Sequence, residues 1–133
     1  MFLMINLFDK EVDVLLTERE VQQAIEQTKT KFPHLTDWEY NNEKHEDYSG
    51  FTLWGQLTLE PEEIMPRCFF ITFDRYQENW RGYLTIGQHS YFWSSTDVGD
   101  AYLLDTDSCQ TLEEAITALK AEMAKLFRAF SVV

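Results

Sequence analysis

The chain has 133 residues and is poor in several residue types, and each shortage excludes a class of protein. Its two cysteines, Cys68 and Cys109, show no CxxC spacing and no histidine at a zinc-ligand spacing. We therefore expect two buried, reduced thiols in a cytoplasmic protein rather than a disulfide framework or a zinc site. Only five glycines are present, and the sequence contains no glycine-rich phosphate loop, GxSxG elbow or HExxH motif. These absences favour a non-enzymatic protein without an organic cofactor.

Long apolar runs and basic residues are also scarce. No run approaches the roughly 18 apolar residues that would span a bilayer, and the apolar start at 1–8 lacks the positive region and cleavage site of a secretory signal. Lysine and arginine number 11 against 23 acids, a net charge of −12. Such a chain repels nucleic acids and anionic lipid surfaces, so we expect neither as a partner. Its field attracts basic proteins and divalent cations instead.

A first helix is predicted over residues 17–32. Thr17 and Glu20 form the S/T-x-x-E pattern of a capping box, and Pro33 disfavours helical geometry in the residue before it. One face at helical spacing carries Val21, Ala24, Ile25, Thr28 and Phe32.

A second and longer helix is predicted over residues 111–130, where Thr111 and Glu114 repeat the capping box. Its apolar stripe, with steps of three and four residues, consists of Leu112, Ile116, Leu119, Met123, Leu126 and Phe130. The stripe fits a coiled-coil seam or a helix that packs on a sheet, and its short length favours the sheet.

Between the two helices the apolar period changes to two, which indicates half-buried strands. The clearest strand is 51–59, and Gly87-Gln88 is interpreted as a turn that leads into 91–93. A pairing of 2–8 with 11–16 is left open. The other predicted strands are 35–40, 69–74, 83–86 and 101–104.

The connections 74–80 and 87–90 are too short for a crossover helix, so neighbouring strands should be antiparallel. The prediction is an α+β fold with a helix, an antiparallel sheet of four to six strands, and a long helix across one face of that sheet. No linker, repeat or low-complexity run divides the sequence. We therefore expect a single domain over residues 1–133.

Two segments carry the whole charge imbalance. Residues 37–63 hold eight acids and one base, a net charge of −7, and residues 97–114 hold six acids and no base. A solvated surface would explain both segments, and so would a recognition surface.

The acidic segments also support a calcium hypothesis. Residues 105–109 begin like an EF-hand loop, but Gln110 and Ile116 stand where that loop needs glycine and a bidentate glutamate. Oxygen ligands from other convergent loops could still bind Ca²⁺. The candidate ligands form one set of Asp97, Asp100, Asp105 and Asp107, and a second set of Asp37, Glu39, Glu60, Glu62 and Glu63.

Aromatic residues are concentrated in the predicted sheet, with fifteen of the twenty between Trp38 and Tyr102. The alternation places Trp54, Phe70 and Phe92 on one face of the sheet and most of the other apolar strand residues on the opposite face. Either the first helix covers this second face, which we favour, or an aromatic patch remains exposed for a partner.

Our leading hypothesis is a non-enzymatic binding protein that engages a basic protein partner through acidic loops and an aromatic sheet face. A calcium-binding buffer or sensor is the alternative, and a small enzyme or ligand carrier with an aromatic-lined pocket is a third. A homodimer is compatible with each of these three hypotheses. The residues predicted to contact the partner are Asp97, Asp100, Asp105, Asp107, Trp54 and Trp93.

Overall fold

The computed structural model describes residues 15–43, 50–59, 61–64, 67–88 and 101–131. Within these residues the chain forms one helix, then five strands, then a second helix. The elements are α1 (Glu18–Lys31), β1 (Thr36–Asn41), β2 (Gly50–Thr58), β3 (Arg67–Tyr76), β4 (Asn79–Gln88), β5 (Ala101–Asp105) and α2 (Leu112–Ser131). The predicted α+β fold is confirmed.

All five strands belong to one antiparallel sheet, and their spatial order β1-β2-β3-β4-β5 equals their order in the chain. The tightest connection joins β3 to β4 through Gln77 and Glu78, whose φ angles are 51° and 71°. Two residues with positive φ form the type I′ turn, whose twist matches that of the flanking strands. The predicted antiparallel meander of four to six strands is therefore confirmed, with five strands in the described part of the chain.

Helix α1 begins as its sequence predicts. The Thr17 hydroxyl accepts a hydrogen bond from the Glu20 N–H at 3.1 Å, and the Glu20 carboxylate accepts one from the Thr17 N–H at 2.8 Å. The helix ends at Lys31, and Phe32 is its C-terminal cap. Both boundaries agree with the prediction of 17–32.

Helix α2 has the same cap, because the Thr111 hydroxyl accepts from the Glu114 N–H at 3.1 Å. Its stripe is buried at Leu112, Ile116 and Leu119, whereas Phe130 is 81% exposed. The helix contacts β4 and, to a lesser extent, β5. The stripe is thus the face of a helix packed on a sheet over its first turns.

Both helices lie on one side of the sheet, here called the helix face. Val21 and Ala24 of α1 and Ile116 of α2 share a single apolar core with Phe51 and Phe73 of the strands. The interpretation that the first helix covers the opposite side, here called the second face, is therefore wrong. The apolar residues of α1 are used in the same core as those of α2.

Two glycines allow close packing on the helix face. A Cβ at Gly82 would lie 2.8 Å from the Phe73 ring and 3.3 Å from Leu119 Cβ, so α2 can approach β4 only because position 82 has no side chain. A Cβ at Gly55 would lie 2.7 Å from the Trp38 ring, which covers β2 from the neighbouring edge strand.

Strands β3 and β4 extend further than the sequence predicts. The proposed turn at Gly87-Gln88 is wrong, since both residues continue β4 and pair with Cys68 and Arg67. β3 begins at Arg67, so its first two residues can pair with the last two residues of β4. The predicted strand 91–93 and nearly all of the pairing of 2–8 with 11–16 lie outside the described residues.

Candidate binding surface on the second face of the sheet

The strand register places one row of side chains across all five strands of the second face. Glu39, Trp54, Thr72, Tyr83 and Asp105 are successive partners from β1 to β5. Directly opposed residues of an antiparallel sheet point to the same side, with Cβ atoms about 4.5–5.5 Å apart. The row therefore has a carboxylate at each end and two aromatic rings between them.

A concavity of about 500 Å³ lies on this face beside the β3–β4 turn, and we call it the hairpin concavity. Ser108, in the segment after β5, lines one side of it. The other lining residues come from β3, the turn and β4: Asp74, Tyr76, Gln77, Asn79, Arg81 and Tyr83. The lining is polar and carries both signs of charge.

Among the carboxyl groups of the second face that the structure describes, Asp74 is the one with a raised pKa. It is half-buried and accepts side-chain hydrogen bonds from Thr52 and Tyr83. Burial raises the pKa of Asp74, although those two hydrogen bonds and the Arg81 charge act in the opposite direction. The ionised carboxylate is consequently less well stabilised by its surroundings than it would be by water.

Arg81 is directed toward β5 rather than toward Asp74. Its guanidinium lies 3.6 Å from the Asp105 carboxylate, and its Nε donates to the Thr106 carbonyl at 3.4 Å. Both groups of the ion pair are partly exposed, with 45% and 40% of their side-chain surface accessible. Pairs this exposed contribute little to stability.

Tyr102 extends the same network along β5. Its hydroxyl donates to the Asp105 carboxylate at 2.6 Å, and its ring centroid lies 6.0 Å from that of Tyr83. Loss of solvation, followed by the hydrogen bond and the charge of Asp105, raises the pKa of Tyr102 to about 12. The tyrosine is 57% exposed, so more than half of its surface is accessible to solvent.

Thr106 holds the end of β5 in place. Its hydroxyl accepts from the Gly82 N–H at 3.0 Å and donates to the Asp107 carbonyl at 2.8 Å, and the residue is only 4% exposed. Two backbone hydrogen bonds between Trp80 and Cys109, both 2.8 Å long, then keep the chain beside β4. This arrangement places Ser108 against the hairpin concavity.

The opposite end of the second face is closed. Phe70, Cys68 and Gln56 are all at most 2% exposed, and the Gln56 amide donates to the Asp37 carboxylate at 3.0 Å. Burial raises the pKa of the Cys68 thiol. The prediction of a buried thiol is confirmed for Cys68, whereas Cys109 is only half-buried.

The structure separates the candidate metal ligands instead of bringing them together. Asp37 and Glu39 lie on β1, whereas Asp105 and Asp107 lie at the end of β5, four strand spacings or about 19 Å away. Glu62 and Glu63 are exposed in the connection between β2 and β3. No group of three or more acidic, histidine or cysteine side chains in the described residues could hold a metal ion.

Four of the predicted residues, Asp97, Asp100, Glu60 and Trp93, lie outside the described residues. The calcium hypothesis therefore stays a prediction. Among the predicted partner contacts, Trp54 and Asp105 share the central row of the second face, and Asp107 follows β5.

Sequence reasoning missed Asp74, Arg81 and the tyrosines around them. The signal was present in the alternation of β3, where Phe70, Thr72 and Asp74 share one parity. Only the register with β4, which pairs Asp74 with Arg81, shows that the two charged residues are neighbours on the sheet.

Within the described residues, neither helix is both long enough and apolar enough to cross a bilayer. Comparison of the chain with models of protein families, with curated proteins and with solved structures finds no match.

Proposed function

We propose that this chain is a non-enzymatic binding protein that engages a basic protein partner through the second face of its sheet. One observation carries the proposal: the central row places Glu39 and Asp105 on either side of Trp54 and Tyr83. Aromatic side chains are the usual anchors of protein interfaces, and complementary charge speeds association.

The exposure of neighbouring side chains supports the same function. Tyr76 is 50% exposed and Tyr102 is 57% exposed, and the strand register places both residues on the second face. Tyrosine offers a large rigid surface with a polar end, which suits it to a wet interface. The net charge of −12 would draw a basic partner toward the protein over a distance set by the ionic strength.

The test compares two double charge reversals that alter the net charge equally. One variant carries Glu39→Lys and Asp105→Lys on the second face, and its control carries Glu26→Lys and Glu122→Lys on the helices. Each reversal adds two units of charge, so both variants go from −12 to −8. Melting curves establish that each variant is folded before it is used as bait.

Basic proteins captured by the wild-type chain are identified and quantified by mass spectrometry. We expect the second-face variant to lose specific basic partners that the control variant retains. Equal losses in both variants would mean that bulk charge alone draws the captured proteins. Unchanged capture by both would remove the second face as the binding surface.

A further inference from the structure

The hairpin concavity contains a carboxyl group whose hydrogen-bonding capacity the described part of the chain uses only in part. Asp74 accepts hydrogen bonds from the hydroxyls of Thr52 and Tyr83. A carboxylate has about four acceptor positions, so the two hydroxyl donors that the described residues supply do not use its full capacity. The same side chain lines the concavity, and a donor from a ligand can therefore reach it.

Arg81, the nearby cation, does not fill the remaining acceptor positions of Asp74. The guanidinium of Arg81 pairs with Asp105 on the β5 side, and its Nε donates to the Thr106 carbonyl. Its charge is also the smallest of the four effects on the Asp74 pKa. Asp74, Arg81 and Asp105 together retain a net charge of −1 when all are ionised, so the site still favours a cation.

The other lining groups suit a flat cation with several donors. Gln77 and Asn79 offer amide carbonyls, Ser108 offers a hydroxyl, and Tyr76 and Tyr83 offer aromatic rings. A guanidinium has five N–H donors and no acceptor, and it stacks on aromatic faces. An ammonium is a compact, strongly hydrated charge that cannot stack in this way.

We propose that the hairpin concavity binds the guanidinium group of an arginine side chain on the basic partner, with Asp74 as its carboxylate acceptor. This proposal rests on the function proposed above and adds the anchor residue of the partner. Burial raises the pKa of Asp74, so its ionised form gains more from a bound cation than a fully solvated carboxylate does.

The probe is Nα-acetyl-arginine methylamide, and Nα-acetyl-citrulline methylamide is its neutral isostere. Each is titrated into the ¹⁵N-labelled full chain, and backbone amide shifts are followed by NMR. We expect the arginine compound to shift the amides of Gln77, Asn79 and Ser108 in a saturable manner. The citrulline compound should bind about tenfold more weakly or worse, because it lacks the charge that strengthens a hydrogen bond to carboxylate.

Two variants with the same chemical change locate the acceptor. Asp74→Asn should weaken binding of the arginine compound about tenfold, whereas Glu26→Gln, the same carboxylate-to-amide change at an exposed position of α1, should leave it unchanged. Asp74→Asn is expected to fold, since the amide keeps the shape of the carboxyl and removes a partly buried charge. The comparison of arginine with citrulline needs no variant and decides the question even if Asp74→Asn fails to fold.

Three results would overturn the proposal: equal binding of the two compounds, full binding by folded Asp74→Asn, or shifts confined to other surfaces. Failure of the concavity is distinct from failure of the proposed function. If the arginine compound does not bind but reversal of Glu39 and Asp105 still abolishes partner capture, the second face is the interface without this anchor. If the compound binds but capture ignores the reversals, the concavity remains a guanidinium site and the proposed interface is wrong.

Discussion

Because the Trp38 ring packs on Gly55, we predict that Gly55→Ala destabilises the wild-type chain but stabilises a chain that lacks this ring. Gly55→Ala places a methyl group 2.7 Å from the Trp38 ring, well inside ordinary contact distance. Relief requires the half-buried indole or the edge strand β1 to move. Overpacking of this kind typically costs about 1–3 kcal/mol, so Gly55→Ala should lower the free energy of unfolding by that amount.

The same substitution should become favourable once the indole is removed. In a Trp38→Ala background no ring opposes the new methyl group, and alanine in a strand is about 0.5–1 kcal/mol better than glycine. The two single variants and the double variant form a cycle whose coupling energy should be about 1.5–4 kcal/mol.

The cycle is measured by urea unfolding of the four proteins, with the slopes checked for equality before the free energies are compared. A change that is the same in both backgrounds to within about 0.5 kcal/mol would refute the reasoning, because it would mean that the indole does not lie over position 55. A stabilising Gly55→Ala in the wild-type background would refute it equally.

Three further outcomes are expected. Glu78→Gly should raise the free energy of unfolding in urea by about 0.5–1 kcal/mol. Glycine removes about 1–2 kcal/mol of backbone strain at this positive φ, which exceeds its entropy cost of about 0.5–1 kcal/mol. A loss of stability would contradict this. Thr106→Val should lower that free energy by about 1–3 kcal/mol by removing the acceptor of the Gly82 N–H, and Thr106→Ser should cost clearly less. The pKa of Tyr102 is raised from its ordinary value of 10 to about 12, so between these pH values the folded chain keeps a proton that the unfolded chain has lost. The stability that the protonated tyrosine contributes is therefore lost as the pH rises from 10 to 12. Ultraviolet titration should show that pKa, and Asp105→Asn should lower it; an unchanged titration would contradict the assigned cause.

The parts of the fold that depend on local sequence were predictable. Capping at Thr17 and Thr111 relies on residues three positions apart, and the stripe of α2 relies on spacing within one helix. The antiparallel order follows from short connections. In each case the physical cause lies within a few residues of its effect, so the sequence alone predicts it.

The site depends on relations between strands, and these were not predictable from one sequence. The neighbourhood of Asp74 and Arg81 requires the β3–β4 register, which a two-residue turn at Gln77 and Glu78 sets. Neither residue is the asparagine or glycine that usually marks such a turn. The side of the sheet taken by α1 was also missed, because amphipathic helices at either end of a meander can pack on either face.

The position of α2 has a consequence for the order of events during synthesis. The sheet is a meander of chain neighbours, so its hairpins close short loops and can form early at little entropic cost. Helix α2, which covers Phe73 and Leu84 on the helix face, is made after all five strands. A chain that still lacks residues 112–119 therefore leaves the part of the helix face around Leu84 without its α2 cover, and at that stage it should depend most on chaperones.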